Sequence, residues 1–199
     1  MFTGIVTDLG RVRSVEKTGD WHFQISTNYE TSAIEIGASI CCSGVCLTAV
    51  STGADWFAVD VSEETISKTT LGFWGKGTAI NLERSLKVGD EMGGHIVSGH
   101  VDGVGKLVSS TQEGDSLRMS FSADREIIRF IAEKGSITVD GVSLTVNTVS
   151  DQEFAVNVIS HTQSATTLGK LSAGDAVNLE IDMLARYVAR LIETDKQVD

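Results

Sequence analysis

Apolar residues recur at every second position over much of this chain, which is the period of a β-strand. Segments 5–15, 20–27, 39–50, 56–62 and 78–84 are rich in Val, Ile, Thr and aromatics, and Gly, Asn or Asp separate most of them. One phase change is informative. Ile137 and Val139 are apolar at odd numbers, whereas Val142, Leu144 and Val146 are apolar at even ones. Alternation cannot change phase without an extra residue or a turn, so Asp140-Gly141 is expected to be a bulge or tight bend. Beyond it Ser143 and Thr145 share the face opposite Val142 and Leu144, and by the same rule Cys46 and Thr48 share a face.

Helical spacing is confined to a few places. Asp124 to Glu133 reads as a helix capped by Ser122 or Asp124 and ended by Gly135, and the weaker counterpart near Tyr29–Ile34 reads as a helix or a loop. At 182–194, Leu184, Val188, Leu191 and Ile192 fall on one helical face, with Arg186 and Arg190 on another. Three turns of isolated helix are marginal in water, so this one must pack on something. Self-association is the preferred expectation, and docking onto its own barrel is the alternative.

The strand pattern is stated twice. Shifting the chain by 97 residues aligns 39–83 with 136–180 without a gap, giving 21 identities in 45 positions, where chance gives about three. Phe57-Ala58-Val59 matches Phe154-Ala155-Val156, Thr69-Thr70-Leu71-Gly72 matches Thr166-Thr167-Leu168-Gly169, and Asn81-Leu82-Glu83 matches Asn178-Leu179-Glu180. Before residue 39 the shift is 95 and pairs Gly4, Val6, Gly10 and Ser14 with Gly99, Val101, Gly105 and Ser109. Two repeats of this length are tandem domains, each a small closed barrel or sandwich. The expected units are 1–92, 93–183, and a helix with its tail over 184–199. The pentapeptides Gly44-Val45-Cys46-Leu47-Thr48 and Gly141-Val142-Ser143-Leu144-Thr145 differ only at the middle residue.

Composition narrows the functions. A net charge of −11 argues against binding driven by nucleic-acid phosphates. The N-terminus lacks the basic region and apolar core of a signal peptide, and no apolar run is long enough to span a bilayer, so a cytoplasmic location is expected. Cys41, Cys42 and Cys46 are an odd number in one segment, without a second Cys pair or a His-x-x-x-His, so neither a disulfide framework nor a metal site is expected. Twenty glycines accompany no proline at all.

Met-Phe-Thr-Gly-Ile-Val at the start, Gly-Gly-His-Ile-Val-Ser-Gly-His-Val-Asp-Gly at 93–103 and Asp-Gly-Val-Ser-Leu-Thr-Val at 140–146 together resemble riboflavin synthase of the type with two lumazine-binding repeats. The resemblance covers essentially the whole chain. It implies an all-β fold of two tandem six-stranded antiparallel Greek-key barrels, plus a C-terminal helix that holds a homotrimer. It implies dismutation of two molecules of 6,7-dimethyl-8-ribityllumazine to riboflavin and 5-amino-6-(ribitylamino)uracil, with no metal or organic cofactor. The active site would lie between subunits, and lumazine synthase is a possible associate.

Carried over by motif, one pocket would use Gly4, Ile5 and Val6 with Ser39, Cys46, Leu47 and Thr48 and the segment Asp60, Val61, Ser62, Glu63, Glu64 and Thr65. The other would use Gly99, His100 and Val101 with Ser143, Leu144 and Thr145 and the segment Asn157, Val158, Ile159, Ser160, His161 and Thr162. Lys134 would reach across from a partner subunit. The chemistry needs a proton removed from the C7 methyl group of one lumazine and a nucleophile added to the other ring. His100 suits the first task by type and Cys46 the second, although a free cysteine also serves as a small buried hydrophobe. Ser143 and Thr145 would orient the ring or a water, because no Ser-His-acid motif accompanies them. Asp140 and Asp182 are second-tier aiming groups, Cys41 and Cys42 read as packing, and His22 and His95 read as surface or loop residues. Glu63 and Ser160 stand where the family usually carries proline, so the two segments are expected to be less preorganised loops. Ser43 stands where asparagine is commoner. A binding-only lumazine protein is the main alternative; a serine hydrolase is excluded by the lack of a Gly-x-Ser-x-Gly elbow.

Overall fold

The computed structural model describes residues 1–195; positions 196–199 of the expected tail lie outside the described residues. The first half contributes β1 (Asp8–Lys17), β2 (Trp21–Ser26), β3 (Ser39–Cys42), β4 (Val45–Thr52), β5 (Trp56–Val61), a short helix α1 (Glu63–Lys68) and β6 (Ala79–Arg84). The second half repeats the plan with β7 (Gly103–Glu113), β8 (Ser116–Ser122), α2 (Arg125–Ile128), β9 (Ser136–Val139), β10 (Val142–Val149), β11 (Glu153–Val158), α3 (Ser160–Ala165) and β12 (Ala176–Ile181). Helix α4 (Met183–Asp195) follows. Each set of six strands closes an antiparallel barrel in one order, β1-β2-β5-β4-β3-β6 and β7-β8-β11-β10-β9-β12. The inward positions of the alternation fill the interiors: Phe23, Ile25, Phe57 and Leu82 in the first, Met119, Phe121, Phe154 and Leu179 in the second. Closure leaves no free sheet edge in either barrel.

The expected bend at Asp140-Gly141 is a two-residue hairpin turn joining β9 to β10, and segment 39–50 splits at Ser43-Gly44 in the same way. Both central residues of each turn have positive φ, 43° and 87° in the first and 46° and 77° in the second, as the right-handed twist of paired strands favours. The two turns lie back to back. A Cβ on Gly141 would stand 2.7 Å from the amide nitrogen of Gly44, so glycine is needed for approach as well as for φ.

Three helical expectations change. The helix expected over 124–133 holds only as Arg125–Ile128, because Phe130 and Ile131 donate to carbonyls three residues back and the coil tightens into turns. Near 29–34 only a single 3₁₀ turn forms, Thr31–Ala33. The segments expected to be loops at 62–65 and 159–162 begin helices α1 and α3, with Glu63 and Ser160 each at the first helical position, which proline tolerates best. Side chains anchor these turns instead. Glu63 accepts from Trp21 Nε1 at 2.9 Å and Lys17 Nζ at 3.0 Å, and Ser160 Oγ donates to the Asp115 carbonyl at 2.9 Å.

The repeated tripeptide Asn-Leu-Glu joins the barrels. In β6 and β12 the leucine points into its barrel, while asparagine and glutamate point out together, as period two requires. Asn178 Nδ2 donates to the Ser43 carbonyl (2.8 Å) and Thr70 Oγ1 (2.9 Å), and its Oδ1 accepts from Thr70 N–H (2.8 Å). Asn81 answers with Nδ2 to the Asp140 carbonyl and Oδ1 from Thr167 N–H, both at 2.8 Å. The glutamates hold two segments that cross between the halves. Glu83 accepts from Thr3 N–H, Thr3 Oγ1 and Gly4 N–H, and Glu180 from Ser98 N–H, Ser98 Oγ, Gly99 N–H and His100 N–H. Phe2 and Val97 pair where the crossing segments meet.

No helix among the described residues is long and apolar enough to cross a membrane. The four donors on Glu180 give a direct test. Glu180→Gln places an amide NH₂ among donors that need an acceptor, and we expect a loss of about 2–4 kcal/mol in urea unfolding. A loss within experimental error would show that the crossing segment is not held by this carboxylate.

Candidate active site

The crossing segments exchange partners, which corrects the grouping read from the sequence. Gly4 to Val6 do not join Cys46. The Gly4 carbonyl accepts from Ser143 N–H at 2.8 Å, and Val6 packs on the core of the second barrel. The Gly99 carbonyl accepts from Cys46 N–H at 2.8 Å, and Val101 packs on the core of the first barrel. The reason is steric as well as polar: a Cβ on Gly4 would stand 2.5 Å from Ser143 Cβ, and one on Gly99 2.6 Å from Cys46 Cβ. Linear order placed each segment with the barrel that follows it, and the crossing reverses that.

The first surface therefore gathers Cys46, Leu47 and Thr48 on β4, the end of β5 at Asp60 and Val61, the start of α1 from Ser62 to Thr65, and Gly99 to Val101 from the other half. Ser39 pairs with Thr48 across β3 and β4. Cys46 is half-buried while Thr48, Asp60 and His100 are exposed. Asp60 is paired with His22 Nδ1 at 2.7 Å, so His22 serves this surface by aiming a carboxylate. Cys41 and Cys42 are buried as expected for packing, and burial pushes both thiols up, which makes them inert.

The second surface gathers Ser143, Leu144 and Thr145 on β10, Asn157 and Val158 at the end of β11, Ile159 to Thr162 at the start of α3, and Gly4 to Val6. It also contains a residue that sequence reasoning missed. His95, expected to be a loop residue, is half-buried, with Nδ1 2.7 Å from Ser143 Oγ and Nε2 3.2 Å from Thr138 Oγ1. Tertiary structure thus supplies the histidine that no local motif placed beside Ser143. A signal existed in the two glycines before it: a Cβ on Gly94 would stand 2.0 Å from the Thr3 carbonyl and 2.9 Å from Ser143 Cβ. Burial pushes the His95 ring below its ordinary range, partly offset by the nearby carboxylates of Asp182 and Glu180. Asp182 itself caps α4, its Oδ1 accepting from Leu184 N–H at 2.9 Å.

His100 and Ser143 lie on different surfaces. Asp140 lies on neither: it is buried in the seam between the barrels, with Oδ1 accepting from Asn178 N–H at 2.8 Å. Lys134 is exposed after α2 with φ of 65°, its N–H donating to the Val146 carbonyl. Among the described residues no group of His, Cys, Asp and Glu is arranged to hold a metal ion. The groups available are unequal: a thiol and an exposed imidazole on one surface, a hydroxyl hydrogen-bonded to a half-buried imidazole on the other.

Two stretches of the chain, 3–85 and 98–182, match the lumazine binding domain. Among curated relatives, riboflavin synthase of Brucella abortus (strain 2308) is 51% identical over 202 residues, covering 98% of this chain and 100% of that protein. Riboflavin synthase of Photobacterium phosphoreum is 40% identical over 202 residues, covering 100% of this chain and 92% of that one. Among solved structures, LumP complexed with riboflavin aligns with TM-score 0.84 at 27% identity, covering 91% of this chain and 99% of that one. LumP complexed with 6,7-dimethyl-8-(1'-D-ribityl) lumazine aligns with TM-score 0.82 at 26% identity, covering 90% and 98%.

The buried imidazole predicts a titration. The folded ring of His95 takes its proton at lower pH than an unfolded histidine, so its contribution to stability is present above about 6.5 and is lost as pH falls through the folded value. We expect an NMR midpoint for His95 below 6.5, and a shallower loss of stability on acidification in His95→Gln. A midpoint at or above 6.5 would contradict the buried neutral ring.

Proposed function

Because the chain belongs to the lumazine-binding domain family and matches riboflavin synthases from end to end, we infer that it is a riboflavin synthase. It is a transferase that moves a four-carbon unit between two molecules of 6,7-dimethyl-8-ribityllumazine, giving riboflavin and 5-amino-6-(ribitylamino)uracil. The observation that carries the reading is the pair of equivalent surfaces built from one repeated frame and differing at the reactive positions. A dismutation needs two copies of one molecule held together in different roles. Holding both lowers the barrier by up to about 10 kcal/mol in favourable cases.

In this reading each surface binds one lumazine, the ring against the β4 or β10 residues and the ribityl chain along the start of α1 or α3. Cys46 is the nucleophile and His100 the proton shuttle of the first surface. On the second, Ser143 and the neutral ring of His95 hold and pass a proton, and Thr145 positions the ring. Asp182 orients this group from the cap of α4. Asp140 acts on the strand that carries Ser143, through its turn, and Lys134 serves a neighbouring subunit's site.

The same reading makes the assembly a homotrimer with its active sites between subunits. The apolar face of α4 supports it: Leu184, Tyr187, Val188 and Ile192 are 69, 62, 55 and 52% exposed in the single chain. Ile5 and Ile159, one on each side of the second surface, are also open, at 45 and 58%. A cytoplasmic location fits three cysteines that remain thiols. Lumazine synthase is a further partner for a binding assay. Retention of His100, Ser143 and α4 favours the enzyme over a binding-only relative.

The test supplies 6,7-dimethyl-8-ribityllumazine alone and follows riboflavin. We expect one riboflavin per two lumazines consumed, and binding without turnover would sink the enzyme reading. Leu184→Glu/Val188→Glu should sediment as a folded monomer near 21.2 kDa with little activity. A monomer of full activity would exclude sites shared between subunits.

A further inference from the structure

A cavity of about 460 Å³ lies in the seam between the barrels, apart from both surfaces described above. Equivalent residues of the two repeats line it in pairs, Ser43 with Asp140 and Thr70 with Thr167 among them, so it sits where the halves face each other. The pairs are not chemically equal. Asp140 brings a buried carboxyl where the first repeat has only a hydroxyl. Its Oδ1 accepts from Asn178 N–H, and no hydrogen bond among the described residues engages Oδ2. Thr70 Oγ1 accepts from Asn178 Nδ2, whereas its equivalent, Thr167 Oγ1, is buried with no hydrogen-bond partner among the described residues. Thr167 Oγ1 is therefore left unsatisfied, against the strong tendency of buried polar groups to pair, beside a carboxylate oxygen of Asp140 that no hydrogen bond among the described residues engages.

Part of the remaining wall is apolar. Phe73, 78% exposed, lines it together with Trp74 and Leu171. Exposed phenylalanine over a concave, partly polar pocket is the usual composition of a small-molecule site. Charge selects the ligand's sign. The protein carries −11 overall, and the only base among the described lining residues, Lys106, is exposed and shares the lining with two carboxylates, Asp140 and Asp175. Asp175 already accepts from Ser172 N–H at 2.8 Å, which leaves Asp140 as the inner anchor.

We infer that this cavity binds a small amphipathic ammonium, its charged head on Asp140 and Thr167 and its aryl or alkyl body against Phe73, Trp74 and Leu171. Burial without a counter-ion pushes the Asp140 carboxyl up to about 7, and a bound ammonium supplies that missing partner. The cavity backs onto the two hairpin turns through Ser43 and Asp140. Asp140 begins the turn that leads through Val142 to Ser143, and Ser43 begins the turn that leads through Val45 to Cys46.

The experiment is calorimetric titration of the intact protein at about pH 8, where Asp140 is ionised. Phenethylamine is the probe, and uncharged 2-phenylethanol is its control. We expect phenethylamine to bind with a Kd of about a millimolar, the range for a fragment of its size. The control and Asp140→Asn should each weaken binding about tenfold or more, consistent with loss of a charge pair. Phe73→Ala, an exposed position that leaves the barrels intact, should weaken it about fivefold through lost aromatic contact. Saturating 6,7-dimethyl-8-ribityllumazine should leave the affinity unchanged, which separates this site from the catalytic surfaces whatever the turnover assay gives. Absence of binding by the wild-type protein, equal affinity in wild type and Asp140→Asn, or displacement by the lumazine would each overturn the assignment.

Discussion

Glu83 and Glu180 are buried carboxylates whose oxygens hold the backbone of two segments on their way to the opposite barrel. The rest of the architecture depends on that hold. Burying a carboxylate is costly unless its lone pairs are used, and backbone N–H groups of a tight segment are donors that need an acceptor. Each solves the other's problem, and Glu180 takes four donors at once. The glutamate fixes where residues 3–4 and 98–100 run. The Gly4 and Gly99 carbonyls are then placed to receive the N–H groups of Ser143 and Cys46, so a structural bond on one barrel organises a strand residue on the other.

The asparagine two residues earlier does the complementary work at the back of the seam. Asn81 and Asn178 each place both amide atoms on backbone or hydroxyl groups of the neighbouring barrel, in two hydrogen bonds and three respectively. A three-residue motif on an edge-free strand thus supplies both the clasp and the crossing. Leucine between them fills the barrel interior, which is why the three travel together in both copies. Such a joint is specific because both asparagine amides are fully partnered, and a slip of one residue would turn them inward.

On this near-symmetric frame a few exchanges carry the asymmetry. Cys46 against Ser143, Asp60 against Asn157 and Ser43 against Asp140 are equivalent positions of the two repeats that differ in functional group. His95 has the opposite origin. It belongs to the linker between the repeats, where the pairing by shift has no counterpart, and it comes to Ser143 only because the crossing segment brings Thr3 and Gly4 alongside. Comparison of repeats finds the first kind of difference and is blind to the second.

Alternation and self-similarity along the chain determined the strands, the duplication, the turn at Asp140-Gly141 and the shared face of Ser143 and Thr145, because these depend on neighbours within a few residues. The same local signals were weak for α3, which no side chain caps, and too strong for α2, which tertiary packing shortened; α1 carries its signature in Ser62, Glu63 and Glu64, but six residues are short enough to read as a loop. Which segment serves which barrel was not legible. Gly4 and Gly99 each border two strands, one on either barrel, and only the three-dimensional path of the chain chooses between them. The company of His95 and the seam location of Asp140 follow from the same cause. Residue types and their spacing determined what groups the protein has to offer; the crossing of two short segments decided which of them meet.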